Sequence, residues 1–247
     1  MFFKLKLKGF TLAEVLITLG IIGVVAAMTI PTLNNHLRGK KLESQFKKTY
    51  SELNQAARGF YADTDMPFRD YQDDIYDGTW TSTKSLEKFM SYYKGVTTNS
   101  GWYSRRFDEI HKLKNLNLNN QEIAQWPCDE SNVFVDIVGR LYSMDNNATG
   151  YNLTYGPKIC VDINGVNKPN KWGVDRFTFV FSDSNSIVPY TGTSWAGLTK
   201  QETNEEKIAK YCSTENESVS HTCAYFALNN KSPDGKGNYW YDFLRGK

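Results

Sequence analysis

An acidic side chain, Glu14, lies near the start of the longest apolar stretch of the sequence. A carboxylate inside a membrane-spanning helix costs a few kcal/mol unless it has a partner or a path to water. The next Lys or Arg along the chain is Arg38, which is too distant in sequence to be its partner within the same helix. A cut after Gly9 would give Phe10 a new α-ammonium group close to Glu14. These residue types therefore predict an ion pair that forms only after proteolytic processing.

The segment before Glu14 is short and basic, and the segment after it is long and apolar. Residues 1–9 carry three lysines and no acid, and no charged residue occurs from Val15 to Leu33. About 19 residues, rising about 1.5 Å each, can cross a hydrocarbon core of about 30 Å. The lysines should stay in the cytoplasm and the rest of the chain should lie outside it. The alternative is a secretory signal cleaved after Ala27, but such signals have a shorter apolar run of about 7–15 residues.

The six residues from Gly9 to Glu14, Gly-Phe-Thr-Leu-Ala-Glu, resemble the processing motif of type IV prepilins. The resemblance implies that a prepilin peptidase cuts between Gly9 and Phe10 and N-methylates Phe10. It also implies that Glu14 pairs with the Phe10 ammonium of a neighbouring subunit and sets the axial register of a filament. Such a pair is stronger at the low dielectric of a helix bundle than in water, so a misplaced subunit would leave a costly unpaired carboxylate. The alternative is that Glu14 only reaches toward lipid headgroups.

The same resemblance implies a location and a set of partners. The chain would cross the bacterial inner membrane once, with its head outside the cytoplasm, and would then enter a pilus or pseudopilus. Its partners would be prepilin peptidase, other pilin or pseudopilin subunits and the inner-membrane assembly platform, which a cytoplasmic ATPase drives. The predicted function is therefore that of a structural subunit, a minor pilin or pseudopilin of a type IV pilus or type II secretion system.

A second possible function is binding of a surface, a glycan or DNA by the head of a minor pilin. Trp195, Trp240 and Tyr241 would be candidate binding side chains, although aromatic residues more often pack in a core. DNA is disfavoured because the three leader lysines reduce 29 Lys and Arg to 26 when they are removed, against 27 Asp and Glu. Phosphate contacts need clustered basic residues. We therefore expect no nucleic-acid partner.

One long helix is predicted to carry the processing and assembly residues. Apolar residues recur at steps of three or four in its second half, at Leu42, Phe46, Tyr50, Leu53, Ala57 and Phe60, which indicates an amphipathic face. We expect residues 10–33 to form the membrane or filament-core half and residues 34–63 to pack on a head. The total length would be about 80 Å.

Two features of this helix need separate interpretation. Pro31 predicts a kink or local melting, because proline removes one backbone hydrogen bond and clashes with the preceding turn; a proline at this place also resembles type IV pilins. Four lysines follow it, at Lys40, Lys41, Lys47 and Lys48. They are either a solvated helix face or contacts to lipid headgroups.

Residues 64–247 are predicted to form one head domain without internal repeats. Short helices are predicted at Ser82–Tyr93 and Thr203–Tyr211, and β-rich or alternating segments predict strands at 133–138, 158–163 and 176–181. An antiparallel sheet laid on the long helix satisfies both patterns. The predicted fold class is therefore α+β.

Four cysteines, Cys128, Cys160, Cys212 and Cys223, lie in the part of the chain predicted to be outside the cytoplasm, where disulfides persist. Three connectivities are possible. We favour Cys212 with Cys223, which closes a short loop after a helix, and hence Cys128 with Cys160. Zinc is a weaker alternative, because there is no Cys-x-x-Cys pair.

The segment from Asp162 to Asp175 is rich in Asp, Asn and Gly and resembles a stretch found in pilin-like proteins, some of which bind calcium in loops of this region. Asp162, Asn164, Asn170 and Asp175 could supply oxygens to calcium, which takes six to eight. The alternative is a hairpin turn with Asx-type backbone hydrogen bonds.

Enzymatic activity is not expected. The sequence contains no nucleophile elbow, phosphate-binding loop or metal-binding His pair. Its three histidines, His36, His111 and His221, are far apart along the chain, and no pair of acids suited to general acid–base work can be recognised.

Overall fold

The chain begins with one long helix, α1, which spans Leu12–Thr64. The computed structural model describes residues 9–74, 82–95, 97–124, 127–145, 155–192, 201–214, 220–245 and 247. At the end of α1, Asp65 adopts a left-handed conformation (φ 52°), and its N–H donates to the carbonyl of Tyr61. The helix therefore ends within two residues of the position that the apolar periodicity predicts.

Helix α1 continues through Pro31 without interruption. The predicted local melting was therefore wrong. Proline removes a single N–H donor from the ladder, and the flanking residues keep their helical bonds. Side-chain hydroxyls add further bonds to carbonyls in this turn, with Thr29 Oγ1 2.9 Å from the Val25 oxygen.

The described part of the head contains a six-stranded sheet in which each strand pairs antiparallel with the next along the chain. In this meander order each strand lies beside its neighbour in sequence, although the connection from the first strand to the second is long and spans residues 104–131. The strands are β1 (Thr97–Tyr103), β2 (Asn132–Asp136), β3 (Leu141–Asp145), β4 (Tyr155–Asp162), β5 (Arg176–Ser182) and β6 (Ile187–Pro189).

Shorter helices surround the sheet. They are α2 (Phe68–Asp74), α3 (Ser82–Met90), α4 (Ser104–His111), α5 (Glu205–Lys210), α6 (Cys223–Asn229) and a C-terminal π-helix (Tyr239–Phe243). The predicted helices at 82–93 and 203–211 correspond to α3 and α5, each somewhat shorter than expected.

The main core lies between α1 and the sheet. Phe46 is fully buried and its ring lies 4.7 Å from that of Phe177 in β5 and 5.3 Å from Trp240 in the π-helix. Farther along α1, Phe60 packs edge-on against Phe68 of α2 at 5.1 Å. The predicted apolar face of α1 is thus the face that contacts the head, and the α+β class is confirmed.

The sequence prediction extended one strand too far, to residues 133–138. Strand β2 ends at Asp136, whose Oδ1 accepts the N–H groups of Val138 and Arg140 at 3.0 and 2.9 Å. Gly139 has φ 85°, which closes the turn into β3. The tight turn ends the strand even though Ile137 and Val138 are β-formers.

Candidate processing and assembly site

The predicted cleavage point is accessible. Gly9 and Phe10 precede the first turn of α1, and the Phe10 side chain is 88% exposed. Apart from its chain neighbours, no atom of the described residues lies within 4 Å of the position that a Cβ on Gly9 would take. A membrane peptidase can therefore approach the Gly9–Phe10 bond without unfolding any part of the head.

Thr11 and Glu14 form a capping box at the start of α1. The Thr11 hydroxyl accepts the Glu14 N–H at 3.2 Å, and the Glu14 carboxylate accepts both the Thr11 N–H and the Thr11 hydroxyl at 2.8 Å. A capping box satisfies helix N–H groups that have no partner within the helix. Sequence analysis assigned Glu14 a role between subunits but missed this role within its own helix; the Thr-x-x-Glu pattern was the available signal.

The two halves of α1 differ sharply in burial. The large apolar residues between Leu12 and Leu37 are 40% to 78% exposed. The buried positions of α1 begin at Gly39. By length and composition α1 is the one helix, among the described residues, that could cross a membrane, and none of its apolar window is covered by the head. The first half therefore presents apolar surface that the subunit itself does not bury.

A family profile described as "Prokaryotic N-terminal methylation motif" matches residues 5–30. The chain carries this motif. The match includes the Gly9–Phe10 bond, the capping box and most of the exposed apolar half of α1, and it agrees with a type IV pilin-like prepilin. No curated protein and no solved structure matches the chain.

The methylation motif carries general implications for partners and location. It implies processing by a prepilin peptidase and assembly with other pilins, and it indicates a structural subunit. Together with the apolar helix it is consistent with anchoring in a membrane.

Two disulfides hold the head, with the pairing that the sequence analysis favoured. Cys128, before β2, is bonded to Cys160 in β4, and Cys212, after α5, is bonded to Cys223 at the start of α6. The second bond joins the helices that pack beside the sheet. All four cysteines are buried, so both disulfide bonds lie in the interior of the head.

The four residues predicted to bind calcium lie together at the end of β4 and in the connection from β4 to β5. Most of their oxygens accept hydrogen bonds from one another or from other protein donors. Both Asp175 oxygens accept backbone N–H groups, from Asn170 at 3.0 Å and Lys171 at 2.6 Å. Asp162 Oδ2 accepts from Arg176 Nε at 3.0 Å. With its amide nitrogen oriented to satisfy hydrogen bonding, Asn170 donates to the same Asp162 oxygen at 3.2 Å.

The charges in this loop favour binding of a cation, whereas the placement of its side chains does not. Burial raises the pKa of Asp162, the neighbouring Asp175 raises it further, and Arg176 opposes both effects. Asp108 also pairs with Arg176, at 2.7 Å, so two buried acids contact one guanidinium while Asp175 lies nearby, and this excess of acids would favour an added cation. Yet no group of three or more His, Cys, Asp or Glu side chains is placed to hold a metal among the described residues. Calcium binding here stays a prediction.

Two of the three aromatic residues considered for ligand binding belong instead to the junction of α1 with the head. Trp240 is 1% exposed, and its Nε1 donates to the Ala227 carbonyl at 3.0 Å. The Tyr241 hydroxyl donates to Glu43 of α1 at 2.6 Å, and its ring stacks on His36 at 4.9 Å. Trp195 lies outside the described residues. The idea of an exposed binding surface was therefore wrong for Trp240, which is buried, whereas Tyr241 is half-buried and contacts α1 through its ring and hydroxyl.

A buried charged cluster at the same junction was missed by sequence analysis. Arg140, just before β3, pairs with Asp136 at 2.6 Å and with Glu52 of α1 at 2.7 Å. Its guanidinium also donates to the hydroxyls of Thr49 and Tyr93 at 2.7 Å, and burial raises the pKa of Tyr93, so this phenol stays protonated. Breaking a buried pair is strongly destabilising, so loss of one member of this cluster should weaken the attachment of α1 to the sheet.

Proposed function

We propose that this protein is a structural subunit, a minor pilin or pseudopilin, of a type IV pilus or type II secretion pseudopilus. A prepilin peptidase cuts between Gly9 and Phe10 and N-methylates Phe10. The mature subunit then lies in the bacterial inner membrane with its head outside the cytoplasm. The inner-membrane platform assembles it with other subunits through the first half of α1, so its work is mechanical and not enzymatic.

The observation that carries this proposal is the coincidence of the methylation motif with an apolar half-helix that the head leaves uncovered. Monomeric soluble proteins rarely expose apolar patches larger than a few hundred Å². Lipid covers such a surface before assembly, and neighbouring α1 helices cover it afterwards.

The capping box supports a two-stage role for Glu14. In the single subunit, Thr11 supplies two donors to the Glu14 carboxylate, which lowers the cost of carrying this acid into the membrane. A carboxylate has about four acceptor sites, so it can also accept the Phe10 ammonium of a neighbour without losing Thr11. Assembly would then add an ion pair and would require no rearrangement of the helix.

The alternative, a head that binds a surface, a glycan or DNA, loses support from the burial of Trp240 and the engagement of Tyr241 with Glu43. No observation in the described part of the head favours it over a structural role.

Processing is the direct test. Intact-mass measurement of the protein from the membrane fraction should give a chain that begins at Phe10, lacking the nine leader residues and heavier by one methyl group. Gly9→Leu should leave the precursor uncut, because it places a bulky side chain directly beside the bond that the peptidase must bind. A Cβ on Gly9 meets no described atom within 4 Å, so the fold of the head should not change. Gly20→Ala is the matched control, also in open space, and should be processed normally. A mature chain that begins after Ala27 would contradict the proposal.

A further inference from the structure

A basic cleft of 570 Å³ lies where α1 enters the head. One wall is α1, with Arg38, Lys41 and Lys48, and the other is formed by the turns that follow β2 and β4, with Val138 and Lys168. Among the described residues that line it, none is an Asp or a Glu. The cleft is therefore lined by cations, polar groups and a few apolar side chains from three separate chain segments.

Only part of this positive charge is neutralised by neighbouring acids. Arg140 at the back of the cleft is paired with Asp136 and Glu52, and Lys48 lies 3.9 Å from the same Glu52. Lys41 and Lys168 are exposed, and no ion pair to either occurs in the part of the chain that the structure describes. The front of the cleft thus keeps an excess of positive charge.

Arg38 adds to this charge at the end of the cleft nearest the apolar half of α1. Its Nη1 donates to the main-chain oxygen of Lys247 at 2.9 Å, and a guanidinium carries five N–H donors in all. One contact therefore orients Arg38 and still allows it to bind an anion.

The position of these cations along α1 places them at a membrane surface. The apolar run ends at Leu33, and at about 1.5 Å per residue Arg38 and Lys41 lie about 7 and 12 Å beyond it. The headgroup region extends about 5–8 Å beyond each side of the hydrocarbon core, and long basic side chains reach several ångströms along the helix. Both side chains can therefore reach lipid phosphates.

The opposite wall carries apolar residues at its tips. Ile137 and Val138, in the turn after β2, are 74% and 62% exposed, and Val166, in the turn after β4, is 48% exposed. The two turns touch, because a Cβ on Gly165 would lie 1.9 Å from the Gly139 oxygen. Their apolar tips are thus held side by side at the rim, an arrangement of apolar and basic groups that suits the boundary between headgroups and acyl chains.

Two side-chain amide oxygens of the cleft also lack a hydrogen-bond donor among the described residues. Gln45 Oε1 and Asn164 Oδ1 are buried and accept no hydrogen bond from the described residues. Buried acceptors without a donor cost free energy. A headgroup with hydroxyls beside its phosphate, such as phosphatidylglycerol, offers donors to these oxygens and an anion to the lysines.

We propose that this cleft binds the headgroup of an anionic phospholipid in the membrane that α1 spans. Lipid binding would fix the rotation and height of the head above the membrane before assembly. The proposal rests on the membrane insertion of α1 given above and adds a specific lipid-binding function to it.

The test uses the whole chain in nanodiscs of phosphatidylcholine, with or without phosphatidylglycerol. Lysines are labelled with an amine-reactive reagent and read by mass spectrometry. Lys41 and Lys168 should be labelled several-fold less in the discs that contain phosphatidylglycerol. Lys84 and Lys114 are exposed elsewhere on the head and should be labelled equally in both. Equal labelling of Lys41 and Lys168 in the two discs would overturn the proposal.

Variants distinguish binding of a lipid in the cleft from non-specific attraction of the protein to an anionic membrane. Lys168→Gln should reduce the protection of Lys41, whereas the matched change Lys114→Gln should not; equal effects would show non-specific attraction and overturn the proposal. Inorganic phosphate added to phosphatidylcholine discs should protect neither lysine, and full protection by it would show a free-anion site instead. Protection that arises only in assembled filaments would assign the cleft to a neighbouring subunit. Co-elution with the discs reports membrane insertion separately, so failure of the proposed function can be recognised independently.

Discussion

The two halves of α1 form one continuous helix but differ in the burial of their apolar residues. In the first half, large apolar residues such as Ile17, Ile22 and Leu33 are more than half exposed. In the second half, Phe46, Leu53 and Phe60 are completely buried against the head. The head therefore explains only the second half, and the burial of the first must come from outside the subunit. Changes to residues in the buried second half of α1 or in the head should therefore alter the stability of the subunit. Changes in the exposed first half should alter its assembly with other subunits.

The largest effect is expected from Glu14→Val. The variant should still enter the membrane, since it loses an acid from an apolar run. It should fail to join filaments with unmodified subunits, because it lacks the carboxylate that we propose pairs with the Phe10 ammonium of a neighbouring subunit. The measurement is the ratio of variant to unmodified protein in sheared filaments from cells that express both.

Thr29→Val is the matched control for this experiment, because within the described part of the chain the Thr29 hydroxyl bonds only to carbonyls of its own helix. It should enter filaments at the normal ratio. Incorporation of Glu14→Val at that same ratio would contradict the register role and leave Glu14 as a helix cap.

Removal of the disulfides should affect only the head. The bonds close loops with sequence separations of 32 and 11 residues, for which loop-closure entropy gives about 3.7 and about 2.8 kcal/mol. Paired Cys→Ser variants, one pair at a time, should lower the free energy of unfolding in that order, measured by denaturant titration of the whole chain in detergent. Membrane insertion should be unchanged, and reduced insertion would show that the two halves are more strongly coupled than their burial indicates.

Two glycines in the buried half of α1 allow a direct test of how closely the helix packs on the head. A Cβ on Gly39 would lie 2.5 Å from the Trp240 carbonyl oxygen, whereas one on Gly59 would make only an ordinary contact, 3.7 Å from Tyr92. Overpacking costs about 1–3 kcal/mol and alanine gains up to about 1 kcal/mol over glycine in a helix.

We therefore expect Gly39→Ala to destabilise the head by about 1–2 kcal/mol. Gly59→Ala should stabilise it by about 0.5–1 kcal/mol. Chemical denaturation of the two variants side by side gives both values, and a stabilising Gly39→Ala would show that the C-terminal segment does not pack on α1 as described.

Calcium should have an effect similar in size to those of the glycine substitutions. Binding to the Asp162–Asp175 loop at a concentration about ten times the dissociation constant would stabilise the head by about 1.4 kcal/mol, or about 3–6 °C in Tm. Chelator should remove this shift, and calcium should restore it better than magnesium. Asn164→Ala should abolish the response and Asn167→Ala, in the same loop, should keep it. A Tm that changes with neither chelator nor calcium would contradict calcium binding and would show that the loop is only a hydrogen-bonded turn.

The elements that the sequence predicted well are those with a strong local pattern. The steps of three or four from Leu42 to Phe60 predicted the buried face of α1, and the β-rich segment at 176–181 predicted β5 almost to the residue. Strands such as β1 and β6 were missed, because β1 is short of apolar residues and β6 has three residues. Neither has enough local periodicity to be distinguished from a loop.

The sequence by itself determined the processing motif, the membrane-length helix and the α+β class, because each depends on spacing along the chain. Only the tertiary structure showed that Arg140 is held between Asp136 and Glu52 and that Trp240 is buried on α1. It also brought Arg38, Lys41 and Lys168 into one cleft. The physical reason is that burial and pairing depend on residues far apart in sequence, which a linear pattern does not relate to one another.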